Sequence, residues 1–316
     1  MPLIKIMWKP LSAFATELQS DTIFGHLCWG ILDLYSEERL RQILDAMPNQ
    51  KFELSSAFPK GCLPLPKLPL SPEITAKVRA KLNNMKESTW NAHQKRLKAA
   101  KWISAEQLIN NNYRYSLEAE LINIWQDQNA QSTNPIPAKA DLIFHNTIDR
   151  TSSTSADLFA EEALFVAPDA VFESYLETEL LTLDELDECF RFIEYTGFGR
   201  NKSTGKGYFK ISVEEMQLPQ AGQVNAYLAL SHHVPAADDS AKAYYSGFTK
   251  FGKLGGSYAI SDSPFKYPFY VLEPGTVYLG TNKPKGTILK GVHPDKPEIV
   301  QNLTTFSLPL FIEEEL

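Results

Sequence analysis

The sequence contains few cysteines, and no run of apolar residues is long enough to cross a bilayer. Its three cysteines, Cys28, Cys62 and Cys189, lie far apart and form no metal-ligand pair. This spacing argues against a zinc site or a disulfide framework and favours a reducing compartment. The first ten residues lack the apolar core and the cleavage site of a signal peptide. We therefore expect a cytoplasmic protein with no metal, no cofactor and no membrane partner.

An excess of positive charge is also missing. The 316 residues include 31 Lys or Arg against 38 Asp or Glu, which gives a net charge of −7. This balance argues against a free-standing protein that binds nucleic acid through its overall charge. Basic residues are instead concentrated locally, because residues 75–101 contain eight bases and one acid. For that segment a solvated helical insertion and an RNA contact remain equal alternatives.

The most distinctive segment is residues 197–209, GFGRNKSTGKGYF, which we call the glycine loop. It combines four glycines with three cations and no acid, and it follows residues 157–194, which contain twelve acids and one base. Backbone N–H groups and cations brought together in this way are typical of contact with a polyanion. A glycine-rich turn without a ligand is the alternative.

The glycine loop fits neither common nucleotide-binding motif. In a P-loop four residues separate the glycines, but here five residues separate Gly199 from Gly205. In the dinucleotide-binding fingerprint a third glycine would stand where this sequence has Lys202, and the loop follows a predicted helix rather than a strand. The loop therefore does not indicate a nucleotide cofactor.

Apolar periodicity predicts an α+β protein. Residues 3–8 predict a strand, and apolar residues at helical spacing predict a helix after it, which Ser20 or Asp21 can cap. The capping-box sequence TLDE at 182–185 begins another helix that Gly197 can end, and residues 208–213 return as a strand. Strand, loop and amphipathic helix in this order are typical of the start of a ferredoxin-like unit.

Between these elements the sequence predicts an insertion and a hairpin. Residues 75–101 and 113–128 predict helices, whereas the proline-rich residues 52–72 are incompatible with regular helix or central strand and can run over this chain or a neighbour. Residues 141–168 predict two strands joined by a polar tip. After the predicted linker at 219–223, short strands separated by Gly and Pro turns predict a β-rich second unit.

Four segments in this order resemble the RAMP proteins of CRISPR effector complexes. They are the opening strand with SDTIFGHLCWGI (20–31), HNTIDR (145–150), the glycine loop, and KFGKLGG (250–256). The GHLCW helix and FELSSAFPKGCLPLPKLP (52–69) resemble one family in particular. This is the fourth Csm subunit of the type III-A complex, in the Cas-five group, which caps the 5′ end of the guide RNA.

The resemblance implies two ferredoxin-like (RRM-like) domains. Residues 1–218 would form the first, with a helical insertion, a long β-hairpin lying against the guide and the glycine loop, and residues 223–316 would form a β-rich second. It also implies the partners. They are the repeat-derived 5′ tag of the guide RNA (crRNA), the large polymerase-type first Csm subunit, the backbone RAMP third Csm subunit and, indirectly, target RNA.

We predict RNA contacts from the glycine loop, the hairpin and the second glycine-lysine segment. Glycines permit close backbone approach, cations pair with phosphates, and hydroxyl and amide groups add hydrogen bonds. The predicted residues are Gly197, Gly199, Arg200, Asn201, Lys202, Ser203, Thr204, Gly205, Lys206, Gly207, Asn146, Arg150, Lys250 and Lys253. We expect Asp149 to fix the hairpin tip instead, by pairing with Arg150 or with a backbone amide.

An enzyme is the rival hypothesis, because some RAMP proteins cleave repeat RNA without a metal by using a histidine to assist a 2′-hydroxyl. His26 is the candidate for such an endoribonuclease, although a histidine within a helix more often bonds locally. His232 and His233 are weaker candidates, and we expect His145 to shape the base of the hairpin. No second carboxylate lies at a spacing that would share a metal with Asp21. We therefore expect no enzyme, and a scaffold without RNA contact would leave both basic glycine segments unexplained.

Overall fold

The computed structural model describes residues 3–82, 87–127, 132–136 and 138–314. The helices are α1 (Ser20–Leu34), α2 (Glu37–Ala46), α3 (Pro72–Lys81), α4 (Glu87–Ala99), α5 (Ala105–Asn110), α6 (Leu117–Gln126) and α7 (Leu183–Thr196). The first strands are β1 (Leu3–Pro10), β2 (Phe52–Leu54), β3 (Phe58–Pro59), β4 (Cys62–Pro64), β5 (Trp102–Ser104), β6 (Arg114–Tyr115), β7 (Ala138–Ile148), β8 (Ser155–Val166), β9 (Phe172–Thr178) and β10 (Phe209–Met216).

The remaining strands all follow residue 223. They are β11 (Ala226–Ala229), β12 (Ala243–Tyr244), β13 (Gly247–Lys250), β14 (Phe269–Leu272), β15 (Val277–Leu279), β16 (Gly286–Leu289), β17 (Gln301–Thr304) and β18 (Ser307–Ile312). Short 3₁₀ turns occupy Lys202–Thr204 and Gly256–Ile260. None of the helices in the described ranges is both long and apolar enough to cross a membrane.

The first sheet has the strand order β10-β1-β9-β2, and all of its neighbours are antiparallel. Numbered within the unit, this is the order 4-1-3-2 of a ferredoxin-like fold, with α1 and α7 as its two crossover helices. Alternate residues of β1 are buried, and Trp8 makes an edge contact with Phe190 of α7 at 5.5 Å between ring centroids. The α+β fold expected from the sequence is confirmed.

The caps predicted for the starts of α7 and α1 have different outcomes. Thr182 and Glu185 form the predicted capping box, in which each side chain accepts a hydrogen bond from the other residue's backbone N–H. The cap predicted for α1 is wrong, because Gln19 precedes the helix without a side-chain cap bond, and Ser20 and Asp21 lie inside the first turn. Both of these side chains are buried against the C-terminal half of the chain instead.

The second sheet has the order β12-β15-β11-β18-β6. The strands β11, β12, β15 and β18 again follow the antiparallel order 4-1-3-2, with loops and short strands where the described part of the first unit has helices. The fifth strand, β6, comes from the helical insertion and pairs with β18 in parallel. Helices α3, α5 and α6 share a core with this second sheet. The domain boundary predicted between residues 218 and 223 is not tested by these contacts and stays a prediction.

The insertion follows the sequence analysis in part. Helices α3 and α4 cover the basic segment, of which residues 83–86 lie outside the described residues, and α6 occupies the middle of the helix predicted over 113–128. The proline-rich segment packs on this chain, since Phe58 and Leu63 are buried. Its backbone is bonded at Leu65 N to Lys101 O and at Lys67 N to Gly275 O, at 2.8 and 2.9 Å.

The predicted hairpin is formed by β7 and β8, which pair over almost their whole length. At its tip the Asp149 carboxylate accepts the backbone N–H groups of Thr151 and Ser152, and these bonds hold the pKa of Asp149 below its usual value. Asp149 thus has the structural role expected for it. At its base the hairpin is tied to the first sheet's core by two backbone bonds between Phe14 and Leu164.

Candidate nucleic-acid interface

The glycine loop follows α7 and folds back on itself. Its four glycines all have positive φ, between +73° and +86°, and Asn201 adopts the left-handed conformation at φ +63°. Phe198 N donates to Gly207 O, and Gly207 N donates to Ala13 O, each at 2.8 Å. A Cβ on Gly207 would lie 2.0 Å from the Phe198 carbonyl oxygen, so this position has room for glycine alone.

His26 on α1 holds the middle of the loop. Its Nε2 accepts the backbone N–H of Gly199 at 3.0 Å, and its ring stacks on Phe198 with 4.5 Å between centroids. Burial lowers the pKa of His26 from 6.5 to about 4, and the nearby charge of Lys202 acts in the same direction. His26 is therefore neutral at pH 7 with its proton on Nδ1, and its Nε2 lone pair is already used inside the protein.

Stability should consequently depend on pH through His26. Because the folded pKa of about 4 lies below the unfolded value near 6.5, the stabilisation is complete above pH 6.5 and is lost as the pH falls towards 4. We expect His26→Gln, whose amide oxygen can accept the Gly199 N–H without titrating, to show a smaller loss of melting temperature between pH 7 and pH 5 than the wild type. Parallel profiles for the two proteins would contradict a buried neutral His26.

The three cations of the glycine loop are in different environments. Lys206 is 7% exposed, and its Nζ lies 2.8 Å from the Glu161 carboxylate of β8. Arg200 is exposed and donates from its guanidinium to the Glu162 carbonyl oxygen at 3.3 Å. Lys202 is half-buried and forms no ion pair with the described residues; burial lowers its pKa and Asp33 opposes that shift.

This placement revises the expectation for Lys206. The sequence predicted a phosphate ligand, whereas the structure pairs its ammonium with Glu161 and so fastens the hairpin to the glycine loop. The pairing also holds the pKa of Glu161 below its usual value. The loop cations open to a ligand are thus Lys202 and Arg200. Ser203 and Thr204 are exposed, although the Thr204 hydroxyl already donates to the Asn201 carbonyl oxygen at 2.9 Å.

Lys250 in the second glycine-lysine segment is likewise engaged. Its Nζ lies 2.7 Å from Asp21, and Gln19 Oε1 and Thr22 Oγ1 also accept from it, at 2.5 and 3.3 Å. The Asp21 carboxylate receives a further hydrogen bond from Gln301 Nε2 at 2.7 Å and is almost fully buried. Lys250 is therefore a tie between the two halves of the chain, and the phosphate contact predicted for it is not available in this arrangement.

Helix α1 joins the two glycine-containing segments. Thr22, His26 and Trp29 follow helical spacing, and they meet Lys250, Gly199 and Gly255–Gly256 in turn. A Cβ on Gly256 would lie 2.6 Å from the Trp29 ring, so the second segment lies directly on this tryptophan. Gly25, between these positions on the helix, has open space above it.

Sequence reasoning missed the surface of α1 on which the two glycine-containing segments lie. This surface consists of Gly25, His26 and Trp29, and we call it the floor. The available signal was the spacing of Gly25, His26 and Trp29, which places a histidine, a tryptophan and a gap on neighbouring positions of one helix. Thr16 was also missed, and its Oγ1 accepts the Arg200 N–H at 2.9 Å. No pattern in the sequence connects Thr16 to a loop that follows 184 residues later.

The other predicted residues lie outside this floor. Asn146 and Arg150 are exposed on the hairpin, and the Asn146 amide is 3.4 Å from Ser155 Oγ. Lys253 is exposed, with its Nζ 5.8 Å from the Phe265 ring centroid. The weaker histidine candidates His232 and His233 are buried, where they bond to Ser56 Oγ and to Tyr278 Oη.

Comparison with known proteins gives structural neighbours only. No protein-family model and no curated protein matches the sequence. A chain of the crystal structure of the Csm1-Csm4 cassette in complex with cA4 matches with a TM-score of 0.63 at 14% identity, over 100% of both chains. A chain of the Csm3-Csm4 subcomplex in the type III-A CRISPR-Cas interference complex matches with a TM-score of 0.60 at 16% identity, over 98% of this chain and 99% of that one.

These matches cover 98–100% of each chain, so the likeness in fold extends over the whole chain rather than over one of its two sheets. The chain has the fold of these chains from the Csm1-Csm4 and Csm3-Csm4 structures. This agrees with the family that the sequence resembles. At these identities the likeness defines the fold.

Proposed function

We propose that this chain is a non-catalytic RNA-binding subunit of a type III-A CRISPR effector complex and that it binds the repeat-derived 5′ tag of the guide RNA. The observation that carries the proposal is the floor of α1, onto which His26 and Trp29 bring two glycine-rich segments. Two cations of the glycine loop lie beside this floor. They are Lys202, which forms no ion pair with the described residues, and the exposed Arg200. Single-stranded RNA offers phosphates to such cations and splayed bases to the open surface.

One surface of the hairpin and the structural neighbours support the proposed protein partners. One face of the hairpin exposes Leu142, Phe144 and Leu158, which are 55–74% accessible, and an apolar face of this kind is typical of a protein contact. Chains with this fold have been crystallised with Csm1 and with Csm3. In our proposal the chain joins the large polymerase-type subunit to the backbone RAMP subunit and reaches target RNA only through the guide.

The absence of catalysis is part of the proposal. A histidine that assists a 2′-hydroxyl needs a free nitrogen lone pair, and the Nε2 lone pair of His26 accepts the Gly199 N–H. Its lowered pKa also leaves it a weak base. A metal-independent endoribonuclease that processes CRISPR repeat RNA is the alternative, and it would require His26 to release the loop.

The test is to co-express the chain with a type III-A large subunit and backbone subunit, and to sequence the RNA that co-purifies. We expect short guide RNAs with one common 5′ end, and severalfold less of this RNA with Lys202→Glu at unchanged protein composition. With Lys202→Met, the slope of log RNA affinity against log salt concentration should become less steep by roughly 0.7, the value for one phosphate contact to a single strand. Lys60→Glu, on the exposed turn between β3 and β4, is the matched charge control.

Two outcomes would overturn the proposal. Guide content that is equal in Lys202→Glu and in wild type would favour a scaffold without RNA contact. Cleavage of an added repeat RNA by the isolated chain, abolished by His26→Ala, would establish the endoribonuclease.

A further inference from the structure

The segment between β13 and β14 forms an irregular extension of that two-stranded ladder. Leu254 N donates to Pro264 O and Lys266 N donates to Gly252 O, each at 2.8 Å, and Lys253 is bridged to Phe265. Leu254 is buried, and a Cβ on Gly252 would touch the Lys266 side chain, whose Nζ donates to Gln301 at 2.6 Å. These residues therefore form the inward side of the extension.

The outward side carries rings. Phe251 is 73% exposed, Phe265 58% and Tyr267 55%, and Lys253 lies among them. Because side chains two apart on an extended segment share a face, and bridged residues face the same way, these four residues form one surface. We call it the aromatic stripe. Three large rings left in water on one short hairpin indicate a surface that binds something.

The surroundings of the aromatic stripe are more basic than the chain as a whole. Residues 251–269 and 290–296 contain two aspartates and four lysines, three of which (Lys253, Lys290 and Lys296) lie apart from the inward-facing Lys266, in a protein whose net charge is −7. The Lys253 ammonium lies 5.8 Å from the Phe265 ring centroid, and the Lys296 ammonium lies 3.9 Å from that of Tyr258. Rings with cations beside them complement a ligand that is both flat and anionic, which is the chemistry of single-stranded nucleic acid.

The extension that carries the aromatic stripe also contacts α1, the helix that holds the glycine loop. Tyr258, at the end of the same extension, makes an edge contact with Trp29 of α1 at 5.6 Å between centroids. Lys250, at the start of the extension, is bonded to Asp21 and Thr22 in the first turn of α1. The extension that carries the stripe and the glycine loop thus both contact the same helix, α1.

We propose that the aromatic stripe is a stacking platform for unpaired bases of single-stranded RNA. This inference rests on the proposed function, in which the glycine loop binds phosphates of that RNA, and it adds that Phe251, Phe265 and Tyr267 bind the base faces. Stacking of this kind is tolerant of sequence, because every base has a π face. The stripe therefore contributes affinity without selecting a particular tag sequence.

The experiment compares two ligands of equal charge. Fluorescence anisotropy at low salt would measure binding of the full chain to a labelled oligouridine of roughly ten nucleotides and to an abasic ribose-phosphate strand of the same length. We expect the wild type to prefer the oligouridine by at least about 5-fold for each stacked base. Phe251→Ala, Phe265→Ala and Tyr267→Ala should each remove part of this preference and leave affinity for the abasic strand unchanged.

Controls separate this inference from the proposed function. Tyr245→Ala removes a ring of similar exposure outside the stripe and should keep the full preference. Lys202→Glu should weaken the binding of the oligouridine and of the abasic strand alike. Equal binding of the two strands by the wild type would overturn the stacking platform but would leave the phosphate site in place. If the chain bound neither strand, either alone or within the complex, the proposed function itself would be overturned. Alanine variants that keep RNA affinity but lose a protein subunit on purification would make the stripe a protein-docking surface instead.

Discussion

Replacing Gly207 by alanine is expected to destabilise the protein by roughly 3–5 kcal/mol, in the range reserved for disrupted backbone or core. The added Cβ would lie 2.0 Å from the Phe198 carbonyl oxygen and 3.1 Å from its carbonyl carbon, and backbone atoms cannot swing aside as a side chain can. The residue would also carry φ +73°, which strains any L side chain. Thermal unfolding would show a large fall in melting temperature, and RNA binding should be lost with the loop's shape.

Gly205 provides the matched control, because it lies in the same loop at φ +86° with nothing within 4 Å of the added Cβ. Gly205→Ala should therefore cost only the left-handed backbone strain, about 1–2 kcal/mol. The difference between the two variants isolates the contact with Phe198 from the effect of φ. Equal losses of stability would mean that the loop can open around Gly207, and the described conformation would then not be the stable one.

Replacing Lys250 by methionine is the second change with a large expected effect, about 3–5 kcal/mol. Methionine keeps most of the side chain's length but leaves the Asp21 carboxylate, whose side chain is 1% exposed, without its ammonium partner. Gln301 would still donate one hydrogen bond to Asp21, which does not neutralise the charge. Chemical unfolding would measure the loss.

The matched control is Lys253→Met, three residues along the same extension. Lys253 is exposed and contacts only a ring face among the interactions seen in the described chain, so its loss should change stability by no more than about 0.5 kcal/mol. The double variant Asp21→Asn with Lys250→Met should be more stable than the sum of the single losses predicts, because no unpaired buried charge remains. Additive losses would contradict a direct pair.

The first unit could be predicted well because its signals are local. The capping box at Thr182, the alternation of β1 and the glycine at the end of α7 are each set by residues within a few positions of one another. The hairpin was equally predictable, since apolar flanks around a polar tip need no distant partner. Local chemistry fixed these elements, and the fold's tertiary contacts then agreed with it.

The environments of the lysines could not be predicted because their partners are remote in sequence. Lys206 meets Glu161, 45 residues before it, and Lys250 meets Asp21, 229 residues before it. A lysine in a glycine-rich segment has the same local pattern whether its ammonium faces solvent or a buried carboxylate. Asp21 was interpreted as a cap for the same reason: the nearest helix end explained it locally, while the tie to Lys250 was invisible.

The strand order also has a consequence for how the chain is made. Residue Ile4 of β1 pairs with Leu176 and Glu215, so the first sheet cannot close until most of the chain has left the ribosome. The apolar faces of α3, α5 and α6 wait longer, because their core includes residues as late as Ile312. Such long-range pairings make folding slow. A released chain that ends near residue 218 would contain every strand of the first sheet but would lack β11, β15 and β18, whose residues share a core with the insertion.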